Sequence, residues 1–172
     1  MNHFELFGLT PRFELDASAL AETYRLLQAK FHPDRFAAAP QGERLVAVSR
    51  AAQINEAYAI LKAPVRRAEY LLSLNGHDLR GETRTLQDRA FLMQQMEWRE
   101  QLDEVRTASD VDAAIDALRR EIKDEHQQQM QHVQSQLDQQ SWELAADTVR
   151  KLKFIEKMLE EIERLEDSLL EL

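Results

Sequence analysis

No glycine or proline occurs between Glu82 and Leu172. More than half of the chain therefore lacks the residues that turn a backbone sharply, and that rules out a β-sandwich or barrel there, which needs turn residues at short intervals. The four glycines are Gly8, Gly42, Gly76 and Gly81, and the four prolines are Pro11, Pro33, Pro40 and Pro64. No two glycines lie close enough to cradle a phosphate. A 44% hydrophobic content is enough to build a core, so wholesale disorder is not expected. The fold class implied is all-α.

Charge divides the chain in the same way. The formal net charge is −9, which argues against a general nucleic-acid or anionic-membrane binder. Residues 1–76 carry nine basic and eight acidic side chains, whereas residues 77–172 carry thirteen and twenty-three. A near-neutral front and an acidic back suggest two modules with different partners. Cysteine is absent, which excludes disulfides, thiol catalysis and a thiolate metal site. The opening Met1-Asn2-His3-Phe4-Glu5 does not resemble a signal peptide, and no apolar run approaches the ~18 residues of a membrane span. A cytoplasmic monomer is expected.

Along the chain, Phe4, Leu6, Phe7 and Leu9 form a short apolar cluster. Asp16 is placed to cap a helix running to about His32. In that helix Leu20, Tyr24, Leu27 and Phe31 repeat at helical spacing as one buried stripe, with Arg25 and Lys30 on its other side. Pro33 stops it, because the residue before proline is pushed out of the α region. A second helix is expected over 43–62, with Leu45, Val48, Ala52, Tyr58, Ala59 and Leu61 available for packing. A third starts at Pro64 and ends at Asn75-Gly76. The polar, aperiodic stretch 77–86 reads as a linker between a domain at 1–76 and another at 87–172.

Three helices are expected in the second domain, over 87–107, 110–137 and 139–171, with Ser109 or Asp110 capping the second and Asp138 the third. Val111, Ile115, Leu118, Ile122, Met130, Val133 and Leu137 mark one apolar stripe. Ala145, Val149, Leu152, Ile155, Leu159, Ile162, Leu165 and Leu169 mark the other. Spacings of three and four suit an antiparallel three-helix bundle. The Gln-rich 127–140 keeps the period and reads as exposed helix surface. His126 falls on the apolar stripe and reads as a hydrogen-bonded bundle histidine; no metal site is expected from the scattered histidines.

His32-Pro33-Asp34 is the most pointed tripeptide. Proline ends a basic-faced helix there and presents His and Asp on a rigid corner. Taken alone it fits an ordinary turn, or a His/Asp pair that lacks the further partners acid–base catalysis needs.

Its surroundings narrow the choice. The segment 24–35, Tyr-Arg-Leu-Leu-Gln-Ala-Lys-Phe-His-Pro-Asp-Arg, resembles helix II and the HPD loop of J domains. Ile54-Asn55-Glu56-Ala57-Tyr58-Ala59-Ile60-Leu61 is similar to the end of their helix III, and Pro64-Val65-Arg66-Arg67-Ala68-Glu69-Tyr70 continues the match. Arg35 stands where the family usually has Lys. No Gly/Phe-rich segment or zinc region follows, unlike general DnaJ proteins. The runs 4–9, 67–74, Ala90-Phe91-Leu92-Met93 and 145–152 resemble the HscB family, J-type co-chaperones of iron–sulfur cluster assembly.

That resemblance implies that His32, Pro33 and Asp34 stimulate ATP hydrolysis by the DnaK-class chaperone HscA, without chemistry by this chain and without a cofactor. Asp34 can offer a carboxylate to a partner arginine, and Arg25, Lys30 and Arg35 can steer an acidic surface. The alternative is a J-domain co-chaperone that delivers other clients to a general DnaK.

A second surface follows from helix geometry. With Phe91 at zero on a wheel, Trp98, Leu102 and Val105 fall within about 40° of it. Leu92, Met93, Met96, Glu97, Glu100 and Glu104 fall at roughly 100° to 240°, a mixed apolar and acidic face opposite. Met and Leu suit an adaptable contact, and the glutamates select a basic partner. Packing against the first module is the alternative for Leu92, Met93 and Met96. In HscB the matching positions bind the cluster scaffold IscU, so the resemblance assigns these six residues to scaffold binding. Phe154, beside the inward stripe of the last helix, is either a further scaffold contact or a boundary core residue.

Overall fold

A computed structural model of the chain describes residues 1–80 and 88–171. Seven α-helices lie among them: α1 His3–Leu6, α2 Ala17–Phe31, α3 Gln41–Leu61, α4 Pro64–Leu74, α5 Arg89–Glu104, α6 Val111–Asp138 and α7 Trp142–Leu170. Short 3-10 turns follow α2 (Pro33–Phe36) and α5 (Val105–Thr107). The described residues hold no strand. The chain divides into two compact units, Met1–Asp78 and Leu79–Leu172. Within the expected linker, residues 81–86 lie outside the described residues.

In the first unit Asp16 caps α2, accepting from the backbone N–H groups of Ser18 and Ala19. Antiparallel pairing of α2 with α3 is visible in its contacts: Tyr24 stacks on Tyr58 at 3.9 Å and donates to Asn55, while Arg50 sits over the Phe31 ring. Of the expected α2 stripe, only Leu20 is fully buried; Tyr24, Leu27 and Phe31 are half-buried. The expectation for α3 needs a larger correction. Leu45, Val48 and Ala52 are exposed, and the buried face is Ala47, Ile54, Ala57 and Leu61. Arg50 already meets the last residue of α2, so the first two turns of α3 run past the end of that helix, and the short 3-10 turn that follows α2 packs on α3.

Buried Arg67 ties the unit together. It donates to the carbonyls of Phe13 and Leu61, both at 2.6 Å, and lies over the Phe13 ring. The Leu61 carbonyl belongs to the last turn of α3, where intrahelical donors run out. Burial lowers the guanidinium pKa below its ordinary value, yet two carbonyls and a ring face satisfy it.

In the second unit α6 and α7 form a long antiparallel hairpin. α5 has 16 residues, about 24 Å of helix, against about 42 Å for α6. It therefore spans only the part where Phe91, Trp98 and Val105 meet Ile115, Leu118 and Ile122 of α6 and Ile155, Met158 and Ile162 of α7. Met158 was missing from the expected stripe because Leu159, its neighbour, kept the period; Leu159 is half-buried instead. Asp110 caps α6 as expected. Asp138 does not cap α7: it is the last residue of α6, and Ser141 precedes α7 without a side-chain cap. Within the Gln-rich stretch Gln129 is buried and donates to Glu125, so that surface is not uniformly solvated. His126 meets Glu156 across the hairpin at 3.4 Å.

Candidate partner-binding surfaces

His32 is both the C-cap of α2 and the N-cap of the 3-10 turn. Its extended backbone (φ −60°, ψ 130°) is what a residue before proline prefers. Its Nδ1 accepts from the Asp34 backbone N–H at 3.2 Å and lies 3.6 Å from the Asp34 carboxylate. The ring is thereby oriented with Nε2 directed away from that hydrogen bond. His32 and Asp34 have side chains 58% and 93% exposed, which leaves both polar tips accessible to a second protein.

The three flanking cations have different local duties. Arg25 and Lys30 are exposed on α2, with the Lys30 ammonium 5.4 Å from the Phe31 ring centre. Arg35 reaches back and donates to the Ala29 carbonyl at 3.2 Å, satisfying a C-terminal carbonyl of α2 and fixing the corner to the helix. Arg50 was not anticipated. It lies over Phe31 from the neighbouring helix and adds a cation beside Lys30. Spacing along α2 could not reveal it, because the two helices meet only through the fold.

On α5 the wheel argument separates the two faces. Phe91, Trp98 and Val105 are buried and Leu102 half-buried. Leu92 is half-buried, while Met93 and Met96 are 64% and 71% exposed. Glu97, Glu100 and Glu104 are exposed. Phe154 of α7 packs edge-on to Phe91 at 5.9 Å and lies under the Arg99 guanidinium, which pairs with Glu161 at 2.6 Å. It is a half-buried boundary residue of the bundle core, and its remaining surface lies near the start of α5. Among the described residues no group of three or more His, Cys, Asp and Glu side chains is arranged to hold a metal. No helix among them is long and apolar enough to cross a membrane.

Comparison with known proteins follows the same division. A family model described as the DnaJ domain matches residues 2–70, and one described as the HSCB C-terminal oligomerisation domain matches residues 87–163. A co-chaperone protein HscB homolog of Aeromonas salmonicida is 61% identical over 171 residues, 99% of each chain. The chain belongs to the HscB co-chaperone family. An HscB homolog of Vibrio cholerae serotype O1 is 52% identical, covering 99% of each chain. The structure of chaperone HscB from Vibrio cholerae superposes with a TM-score of 0.88 at 50% identity, over 98% of this chain and 99% of that one. Human co-chaperone protein HscB gives 0.90 at 28% identity, over 96% and 82%. This HscB-family chain is thus an all-α J-domain co-chaperone, and the family's general role lies in iron–sulfur cluster assembly.

Proposed function

We propose that this chain couples two proteins. Its J domain stimulates the ATPase of the DnaK-class chaperone HscA through His32, Pro33 and Asp34, with Arg25, Lys30 and Arg35 steering the encounter. Its bundle recruits the scaffold IscU through Leu92, Met93, Met96, Glu97, Glu100 and Glu104, with Phe154 at the margin. The observation that carries the reading is the pair of exposed methionines on α5, ringed by glutamates and backed by a buried aromatic stripe. An unpartnered, adaptable apolar patch with an acidic rim fits a partner that presents apolar and basic groups.

The chain itself performs no chemistry and holds no cluster; hydrolysis belongs to the ATPase and the cluster to the scaffold. It acts in the cytoplasm as a monomer, a point that light scattering checks directly, since the C-terminal family model carries the word oligomerisation in its description.

Pull-down of purified scaffold by the unsubstituted chain and by the Leu92→Ala, Met93→Ala, Met96→Ala triple variant tests the bundle half. The triple variant is expected to lose at least about tenfold in affinity, as when central anchors of an interface are truncated. Unchanged binding rejects this surface and favours delivery of other clients to a general DnaK.

A further inference from the structure

A groove of about 640 Å³ opens between α5, its terminal 3-10 turn and α6. Its floor is apolar, formed by Val105, Ala114, Ala117 and Leu118, and Glu104 and Glu121 stand on its rim. Among the described residues that line it, none is cationic. Val105 and Leu118 are buried bundle residues, so the floor is fixed by the core beneath it. Ala114 and Ala117 are what leave it open, because larger side chains at these positions of α6 would fill the space.

The groove is continuous with the α5 surface described above. Glu104 belongs to both: on the wheel it lies at roughly 220°, between the methionine face and Gln101 at roughly 280°, which also lines the groove. We propose that this groove is a second seat for the scaffold protein, taking a basic segment that places one aliphatic side chain over Ala117 and a lysine or arginine between Glu104 and Glu121. The inference rests on the scaffold-binding reading of α5 and extends it around the end of that helix. An acidic rim over an apolar floor selects a cation beside an aliphatic group, and disfavours acidic segments by like-charge repulsion.

Glu121 also supplies a reporter. The buried Trp98 indole N–H donates to its Oε1 at 3.4 Å, so a cation drawn to Glu121 alters the polar environment of that indole. The chain has two tryptophans, and Trp142→Phe leaves Trp98 as the single tryptophan, read by excitation at the red edge where tyrosine does not absorb.

The test uses the full chain carrying Trp142→Phe, with purified scaffold and with two synthetic pentapeptides, one alternating leucine and lysine and one alternating leucine and glutamate. The lysine peptide is expected to shift Trp98 emission saturably and to compete with scaffold, and the glutamate peptide to do neither. Ala117→Leu fills the groove from an exposed position and is expected to weaken both the peptide and the scaffold by about tenfold, the loss of one seated anchor. Glu121→Gln keeps an acceptor for the indole and is expected to weaken both about threefold at low salt, with the difference fading in molar salt. Circular dichroism confirms that each variant folds. If the methionine triple variant loses scaffold but Ala117→Leu retains full affinity, the groove is rejected and the α5 reading stands. If scaffold fails to bind the unsubstituted chain, both are rejected. If Ala117→Leu instead abolishes a dimer seen by light scattering, the occupant is a second copy and the proposal is overturned.

Discussion

Asp88 shows how much one side chain settles at the entrance to the bundle. Its Oδ1 accepts from the Phe91 backbone N–H at 3.1 Å, capping α5, and its Oδ2 pairs with Lys151 of α7 at 2.8 Å. The first bond satisfies an orphan donor of the helix, and the second ties α5 to α7. The hydrogen bond from Lys151, followed by that from the Phe91 backbone, holds its carboxyl below the ordinary pKa. A depressed folded-state pKa means stability that is fully present above the unfolded carboxylate value of about 4 and lost as pH falls through the lower folded value. Asp88→Asn keeps the cap and removes the ion pair, so it is expected to cost up to about 1 kcal/mol at pH 7, the range of a partly exposed salt bridge. Urea denaturation of the two proteins should show that difference shrinking below pH 4. A cost unchanged in acid would mean that the ion pair contributes nothing and that the cap geometry alone matters.

At the scale of elements, three helices end in one way. α1, α4 and α6 each close with a hydrogen bond from the second residue beyond the cap back to the third-last turn position: Leu9 to Phe4, His77 to Leu72, and Ser141 to Gln136. This closure requires a left-handed residue just past the cap. Gly8 and Gly76 supply it at φ 70° and 85°, but at the third site it is Gln140, at φ 58°. Glycine tolerates that conformation without cost, and a residue with a Cβ does not. Gln140→Gly is therefore expected to stabilise the chain by about 0.5–1 kcal/mol, read as a raised urea midpoint at constant slope. A lowered midpoint would contradict the strain assigned to Gln140.

The same contrast explains which elements were legible. Gly76 announced the end of α4, and Asp16 and Asp110 announced the starts of α2 and α6. The α6–α7 turn had no such residue, so Asp138 reads as a cap of α7, whereas it closes α6 and the left-handed Gln140 separates it from the start of α7. Period alone also misplaced the early part of α3. Leu45 and Val48 have core-like character and helical spacing, but whether they are covered depends on where α2 ends beside them. The His32-Pro33-Asp34 corner was legible because proline and helix polarity fix it locally. Arg50, Glu121 and the groove were not, since each depends on contacts between helices.

On the scale of the whole molecule, the proposed function places two binding surfaces on one chain. The near-neutral front carries an exposed His-Pro-Asp corner with cations around it, and the acidic back carries the methionine and glutamate face of α5. Joining two contacts covalently turns the second encounter into a local one and raises effective concentration. Scaffold and ATPase should thus each be met more readily in the presence of the other. The steady-state ATPase rate of HscA, measured with this chain and IscU added separately and together, tests that claim most directly. The account predicts modest stimulation by each alone, a more than additive rate with both, and loss of this chain's contribution in the His32→Gln variant, which should remain folded by circular dichroism. Full stimulation by His32→Gln, or a merely additive rate with both proteins present, would contradict it.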